Sequence, residues 1–350
     1  MAHGDRSATS TRAVVYAQSG DASVLQVVQR PLAEPSEGEV RIRVVVSGVN
    51  PTDWKSRRGA FGRSPAEPTV PNHDGAGLVD AVGPGVAGVK AGDRVWVTLA
   101  GDGRPSSGTA QEYTVVPAER VFPLPDGADF ELGASVGIPG ATAHRALTVA
   151  EDGPARLRPG ALRDRTVLIA GGAGAVGNAA IQLARWAGAT VIATTSSEAK
   201  ARLASRAGAH HVVNYRDTDA ADQIGRLAPA GVDVIVEVAA GANAALDQSV
   251  LNPRGTIAIY ANDGEVPFAP DVRAGMVLNA RYQFVLLYTV GWERIASAAA
   301  DLNQAIEAGA FRIGDEAGLP VHRFDLDDTA AAHDAVEGGA VGKVLVTVSA

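Results

Sequence analysis

A chain of 350 residues with 46% apolar content is long enough to build two hydrophobic cores. Its net charge of −8, with no basic block, argues against nucleic acid or an anionic membrane as the main partner. The absence of cysteine excludes disulfides, thiolate metal sites and cysteine nucleophiles.

Residues 1–12 are polar and mixed and read as a disordered leader, without the apolar run of a secretory signal. No apolar stretch of about 18 residues follows, so no membrane span is expected and the chain reads as cytoplasmic. Residues 13–138 read as a β-rich domain. Short strand candidates at 13–17, 40–49, 77–82, 94–97 and 112–116 are punctuated by Pro35, Pro51, Gly59, Pro71 and Gly83-Pro84-Gly85. From about residue 139 apolar strands alternate with Ala-rich helical stretches. Strands are expected at 166–170, 190–195, 211–213, 232–238 and 255–260, and helices at 176–187, 200–207 and 242–251. This βαβ alternation predicts a parallel, doubly wound sheet over 139–311, so the fold class is α/β. A helix is expected at 295–308. The tail, 312–350, turns β-rich again and is expected to rejoin the first domain.

Gly172-Ala173-Gly174-Ala175-Val176-Gly177 follows the strand at 166–170 and opens a helix. A lone GxGxxG also describes a plain glycine-rich turn, but the strand before it and the helix after it favour a dinucleotide site. There the first glycine permits a tight turn, the second admits a pyrophosphate, and the third lets helix and strand pack. The helix start offers free N–H groups to phosphate. At the end of the next strand, Thr190–Thr195, no acid waits for a ribose 2′-hydroxyl. Instead Ser196, Ser197 and Lys200 stand where a 2′-phosphate would sit, which points to NADPH. The serines equally suit a helix cap, and Glu198 adds an opposing charge. Tyr215 either stacks near the adenosine or ends a strand; Arg216 either reaches the phosphate or lies in an ordinary loop.

Further motifs recur in order: Gly48-Val-Asn-Pro-Thr-Asp53, Arg57-Arg-Gly-Ala-Phe61, Pro71-Asn-His-Asp-Gly-Ala-Gly77, Val82-Gly-Pro-Gly-Val86, Gly92-Asp-Arg-Val95, Gln182-Leu-Ala-Arg185, His333-Asp-Ala-Val-Glu337 and Gly342-Lys-Val-Leu345. With the glycine loop, they resemble the zinc-free quinone oxidoreductase (zeta-crystallin-like) branch of the medium-chain dehydrogenase/reductase superfamily, over residues 12–350. The resemblance implies a GroES-like catalytic domain holding both termini and a Rossmann domain between them. It implies an NADPH-dependent enzyme passing a hydride to a quinone or other conjugated carbonyl. It marks Asn50, Asp53 and Thr142 as the catalytic candidates and adds Tyr260 and Lys343 to the cofactor-binding residues. Asn50 either donates to the substrate oxygen or lines the loop; Asp53 either lines the site or fixes the loop through backbone; Thr142 either approaches the nicotinamide or caps a helix at a Gly-Pro turn. Phe61, Tyr260 and Tyr288 are candidate apolar walls or ordinary core.

The zinc enzymes of the superfamily use cysteines that this chain lacks. His73-Asp74 supplies one histidine and one carboxylate, which do not make a zinc site, so no metal is expected. Two departures from the family stand out: Ala175 replaces the second of two adjacent glycines, and no basic residue lies between Glu337 and Gly342. Two other functions remain open. One is an enoyl-thioester or polyketide-tailoring enone reductase, with Arg57, Arg58 and Arg63 as a basic entrance patch or solvated surface. The other is a non-catalytic NADPH-binding protein. The family habit suggests a homodimer through a sheet edge near 279–287.

Overall fold

The computed structural model describes residues 10–60, 62, 64–216 and 219–349. The chain divides into two compact units, residues 1–138 with 321–350, and residues 139–320. The leader expected over 1–12 lies outside the described residues up to position 9; Ser10, Thr11 and Arg12 instead begin a strand.

The first unit is a β-structure. β1 (Ser10–Val15) pairs antiparallel with β2 (Gln26–Pro31). A larger sheet begins with β3 (Glu39–Val49), β4 (Asp74–Val82), β5 (Arg94–Val97), β6 (Tyr113–Pro117) and β7 (Val121–Pro123). The tail returns as β14 (Val321–Asp325) and β15 (Lys343–Thr347), giving the order β14-β15-β3-β4-β5-β7, with β6 also on β3. Along β3 the alternation of half-buried and buried residues gives way to a buried run from Ser47 to Val49. Val40, Ile42, Val79, Val95, Val97 and Val116 form one apolar cluster; Val14, Val44, Val49, Val344 and Val346 belong to another. Helix α9 (Thr329–Glu337) adds Ala332 to the second cluster.

The second unit carries six parallel strands in the order β10-β9-β8-β11-β12-β13. They are β8 (Thr166–Ile169), β9 (Thr190–Thr195), β10 (His211–Asn214), β11 (Val232–Glu237), β12 (Leu251–Ile259) and β13 (Arg281–Phe284). This order places β8 and β11 at the centre, where the chain switches direction across the sheet, as in the Rossmann fold. Val167, Leu168 and Ile169 of β8 are at most 1% exposed, each burial stabilising by about 1.5–3 kcal/mol relative to exposure. The helices α3 (Ala175–Trp186), α4 (Glu198–Ala207), α5 (Ala220–Leu227), α6 (Ala240–Val250), α7 (Val272–Leu278) and α8 (Trp292–Glu307) connect or follow these strands.

The return to the first unit comes at Val321 and not at residue 312. Residues 312–320 stay with the second unit because Gln182 holds both the N–H and the carbonyl of Arg312, and Asn178 donates to the Ala317 carbonyl at 2.8 Å. Two helices replace expected loops. Residues after Asn50 form α1 (Pro51–Arg57), and α2 (Phe130–Leu147) runs straight through Pro139-Gly140. Among the described residues, no helix is long and apolar enough to cross a membrane.

Candidate functional site

In the second unit, the turn after β8 is built from four glycines with different duties. Gly171 has φ +66°, so the left-handed step falls there and not at Gly172. Gly172 is required by packing: a Cβ would come within 2.9 Å of the Ala193 methyl. At Gly177 a Cβ would lie 2.3 Å from the Gly171 carbonyl oxygen, which is the close helix–turn approach expected of the third glycine. Gly174 differs. A Cβ there would meet only the Gly171 oxygen, at 3.5 Å, so the protein itself does not require this glycine. Gly174 is exposed, it is the N-cap of α3, and no side chain caps that helix. Ala175 and Val176 complete the first turn, half-buried. An open face and an uncapped helix start suit a pyrophosphate, so these residues fit a dinucleotide.

The ends of neighbouring strands gather beside that turn. Gly172 donates its N–H to the Thr194 carbonyl at 3.0 Å, and Tyr215 donates to Thr195 at 3.1 Å. Ser197 Oγ accepts the Lys200 N–H at 3.3 Å, so Ser197 caps α4. Ser196 and Lys200 are half-buried, Tyr215 is 48% exposed, and Arg216 is exposed. Glu198 is turned along the helix into an ion pair with Arg202 at 2.7 Å, which spends the opposing charge. Tyr260 lies just past β12, half-buried, at the wall of a cavity of about 700 Å³. Burial, then Glu237 and Asp263, hold its phenol above the ordinary value. Thr142 is buried in the interior of α2 and caps nothing.

Sequence reasoning missed Glu237 and Asp247, both buried in this unit. Glu237 ends β11 and accepts from the Asn243 amide at 3.1 Å and from the Ala239 N–H. Burial and then Glu237 push the Asp247 carboxyl up to about 9. The signal was present as an acid at each end of an otherwise apolar βα passage.

In the first unit, Asn50, Asp53 and Lys343 do come together, but inside the core. Asn50 is 2% exposed and Lys343 1%. Lys343 Nζ donates to Asn50 Oδ1 at 2.7 Å and to the Val49 carbonyl at 3.2 Å. Asn50 Nδ2 donates to Asp74 Oδ2 at 2.8 Å. Asp74 also accepts from Thr98 at 2.8 Å and from the Ile138 N–H on both oxygens. Asp53 Oδ2 accepts the Asn50 N–H at 2.7 Å, the reciprocal half of a capping box on α1. Lys343 thus gives its ammonium to buried oxygens, and the Asn50 amide donates to Asp74. Asp53 has the backbone-fixing role. Burial first, then Asp74, push its carboxyl up to about 8. Burial lowers the Lys343 ammonium.

Of the arginines read either as an entrance patch or as solvated surface, one is buried and one is exposed. Arg57 is fully buried and bonded to Glu337 at 2.7 Å and to the Gly20 carbonyl, and Arg58 shares Glu337. Arg63 and Phe61 lie outside the described residues. His73 is half-buried, and desolvation followed by Arg120 pushes its imidazole down to about 4. Among the described residues, no group of three His, Cys, Asp or Glu side chains could hold a metal. The donor set does not fit zinc.

Comparisons with known proteins follow this geometry. Residues 36–126 match the alcohol dehydrogenase GroES-like domain, and residues 175–304 match the family described as zinc-binding dehydrogenase. The chain is 34% identical over 343 residues to the quinone oxidoreductase of Lama guanicoe, covering 96% of this chain and 97% of that one. It is 32% identical to human quinone oxidoreductase over 89% of this chain and 90% of that one. A mycobacterial structure solved in complex with NADPH superposes with a TM-score of 0.80 at 29% identity, covering 96% of this chain and 99% of that one.

Proposed function

Because the chain belongs to the quinone oxidoreductase branch of the medium-chain dehydrogenase/reductase superfamily, we propose that it passes a hydride from NADPH to a quinone or other conjugated carbonyl, without zinc. One observation carries the cofactor half: the open Gly174 face at an uncapped helix start, on the carboxyl edge of a parallel sheet. Ser196 and Lys200 at the end of β9, with Glu198 paired to Arg202, support the 2′-phosphate over a bare ribose. When bound, the reduced nicotinamide supplies the hydride.

The chain's own groups bind and orient. The N–H groups of the first α3 turn receive the pyrophosphate, and Tyr260 and Thr142 belong to the nicotinamide end of the site. Asn50, Asp53 and Lys343 hold the β3–α1 segment in one shape and are positioning residues. An isolated ketone needs a Lewis acid to polarise it. A conjugated acceptor takes hydride at carbon while charge develops on a remote oxygen, where hydrogen bonds suffice. That chemistry matches a donor set unfit for zinc. The same proposal includes a cytoplasmic homodimer joined at the β13 edge, where Phe284 and Leu286 are 65% and 54% exposed.

The test is the loss of NADPH absorbance on mixing purified chain with a simple quinone, with metal chelator present throughout. NADPH is expected to be consumed well ahead of NADH. Preference for NADH overturns the phosphate reading. Turnover of an aliphatic enone but no quinone moves the chain to the enoyl-reductase branch. Tight NADPH binding with no turnover on either acceptor leaves a binding protein.

A further inference from the structure

Several arginines of this chain are neutralised by a carboxylate. Arg41, Arg57, Arg156, Arg165 and Arg323 each face a carboxylate. Arg145 does not. It stands half-buried in the last turn of α2, on the wall of the cavity of about 700 Å³ in the second unit. Burial, then the guanidiniums of Arg294 and Arg281, lower its affinity for a proton, and no carboxylate acts against them. Arg281 and Arg294 are exposed, and neither forms an ion pair among the described residues. Arg145 thus lines the cavity with no ion-pair partner among the described residues. A partly desolvated charge left that way is costly unless something neutralises it.

The rest of the wall is mostly apolar, with Ile259, Tyr260, Phe268, Val285 and Val290 beside the neutral polar Asn262, Gln283 and Thr289, and it carries no acidic side chain. The volume is within the range of small-molecule sites, about 300–1,000 Å³. Ile259 and Phe284 close β12 and β13, and all six strands are parallel. The cavity therefore opens on the same edge of the sheet as the glycine turn after β8.

We infer that this cavity binds an amphipathic acid, its apolar or aromatic body against Tyr260, Phe268 and Val285 and its carboxylate on Arg145. As a site for the hydride acceptor, the inference rests on the proposed function above, and it narrows the acceptor to a conjugated carbonyl that also carries a carboxylate. The same chemistry would serve a separate carboxylate effector, and the experiment separates the two.

The full chain is titrated calorimetrically, without cofactor, with 2-naphthoate and with its neutral amide, 2-naphthamide. The naphthoate is expected to bind more tightly. Arg145→Gln is expected to weaken it by about tenfold or more, the loss of a charge-assisted contact, while leaving the amide unchanged. Arg145→Lys, which keeps the charge, is expected to retain most of the affinity. Equal binding of the two probes, an unchanged naphthoate affinity in Arg145→Gln, or an equal loss for both probes overturns the inference. Turnover then locates the role. A carboxylated aryl enone with a lower KM than its amide, the difference vanishing in Arg145→Gln, places the acid on the substrate. Naphthoate binding that alters turnover of a neutral quinone without competing with it places it on an effector. If no acceptor is reduced at all, the hydride-transfer reading fails while the titration still judges the cavity.

Discussion

Gly174 is the residue at which binding and folding separate most cleanly. Gly172 and Gly177 face the protein, with would-be Cβ contacts of 2.9 and 2.3 Å, whereas Gly174 faces open space. Gly172→Ala and Gly177→Ala are expected to lower the melting temperature, since forcing a methyl into packed surroundings costs about 1–3 kcal/mol. Gly174→Ala is expected to fold with less than about 1 kcal/mol lost, because its φ of −79° suits any residue, yet to bind NADPH at least about tenfold more weakly. Thermal melts beside NADPH fluorescence titrations measure both effects. A Gly174→Ala protein that binds normally would remove the pyrophosphate from this turn. The buried acids separate in a similar way. One ammonium, Lys343, serves two carboxyls. Asp74 accepts from three donors, Asn50, Thr98 and the Ile138 N–H, and burial raises its carboxyl as well. Asp53 is pushed up to about 8 from the ordinary 3.8 of an aspartate. The folded chain therefore holds one more proton than the unfolded chain between those values, and this group's contribution to stability falls as pH rises through that window. Asp53→Asn keeps the acceptor for the Asn50 N–H and is expected to flatten the stability profile from pH 4 to 8. Asp74→Asn sets an amide donor against groups that already donate, and is expected to cost about 3 kcal/mol. Urea melts across pH decide it; an Asp53→Asn profile as steep as wild type would show that Asp53 is ionised when folded.

At the scale of elements, α4 shows how two jobs share one segment. Ser197 caps it and Gly208, at φ +107°, ends it. Ser197→Ala is expected to cost about 1 kcal/mol of stability. Lys200→Gln removes charge without touching the cap, because the capping bond uses the Lys200 backbone N–H. It is expected to raise the KM for NADPH several-fold and leave the weaker NADH reaction unchanged, and steady-state kinetics with both cofactors reads the difference. An equal rise for both would mean that Lys200 does not face the 2′-phosphate. The parallel strands were legible because each is a short apolar run between helical patterns. The elements that escaped did so for physical reasons. Pro139-Gly140 reads as a break, yet α2 continues because Ala134, Val136, Ala141, Ala143 and Leu147 are buried, and that burial offsets a proline penalty of about 3 kcal/mol. β2 is nearly all exposed and carries no apolar alternation to detect. For α1 the signal existed: Asn50-Pro51 with Asp53 is an N-cap, a proline at the first turn and a capping box. The inward turn of Lys343 and Arg57 was invisible, because pairing with Asn50 or Glu337 joins positions about 280 or more residues apart.

At the scale of the whole chain, the βαβ rhythm predicts the sheet, but it does not say how that sheet ends. β13 is a four-residue edge whose Phe284 is 65% exposed. The helix just before it, α7, has no buried residue and shows Val272, Met276 and Val277 at 72–75% exposure. Such apolar residues clustered at an unpaired edge are an association surface or an aggregation hazard. A second copy pairing edge to edge would satisfy the free N–H and carbonyl groups of β13 and cover Phe284 by one symmetric contact. Static light scattering at micromolar concentration is expected to return twice the chain mass. Val277→Glu with Phe284→Glu places like charges on both sides of that two-fold contact, and is expected to yield a monomer with at most a small drop in the melting transition of the second unit, since both side chains are mostly exposed and Phe284 makes one edge contact, with Phe268. A monomeric wild type would refute the dimer outright. A double variant that still scatters as a dimer would move the interface away from β13 and leave the exposed α7 face to some other occupant.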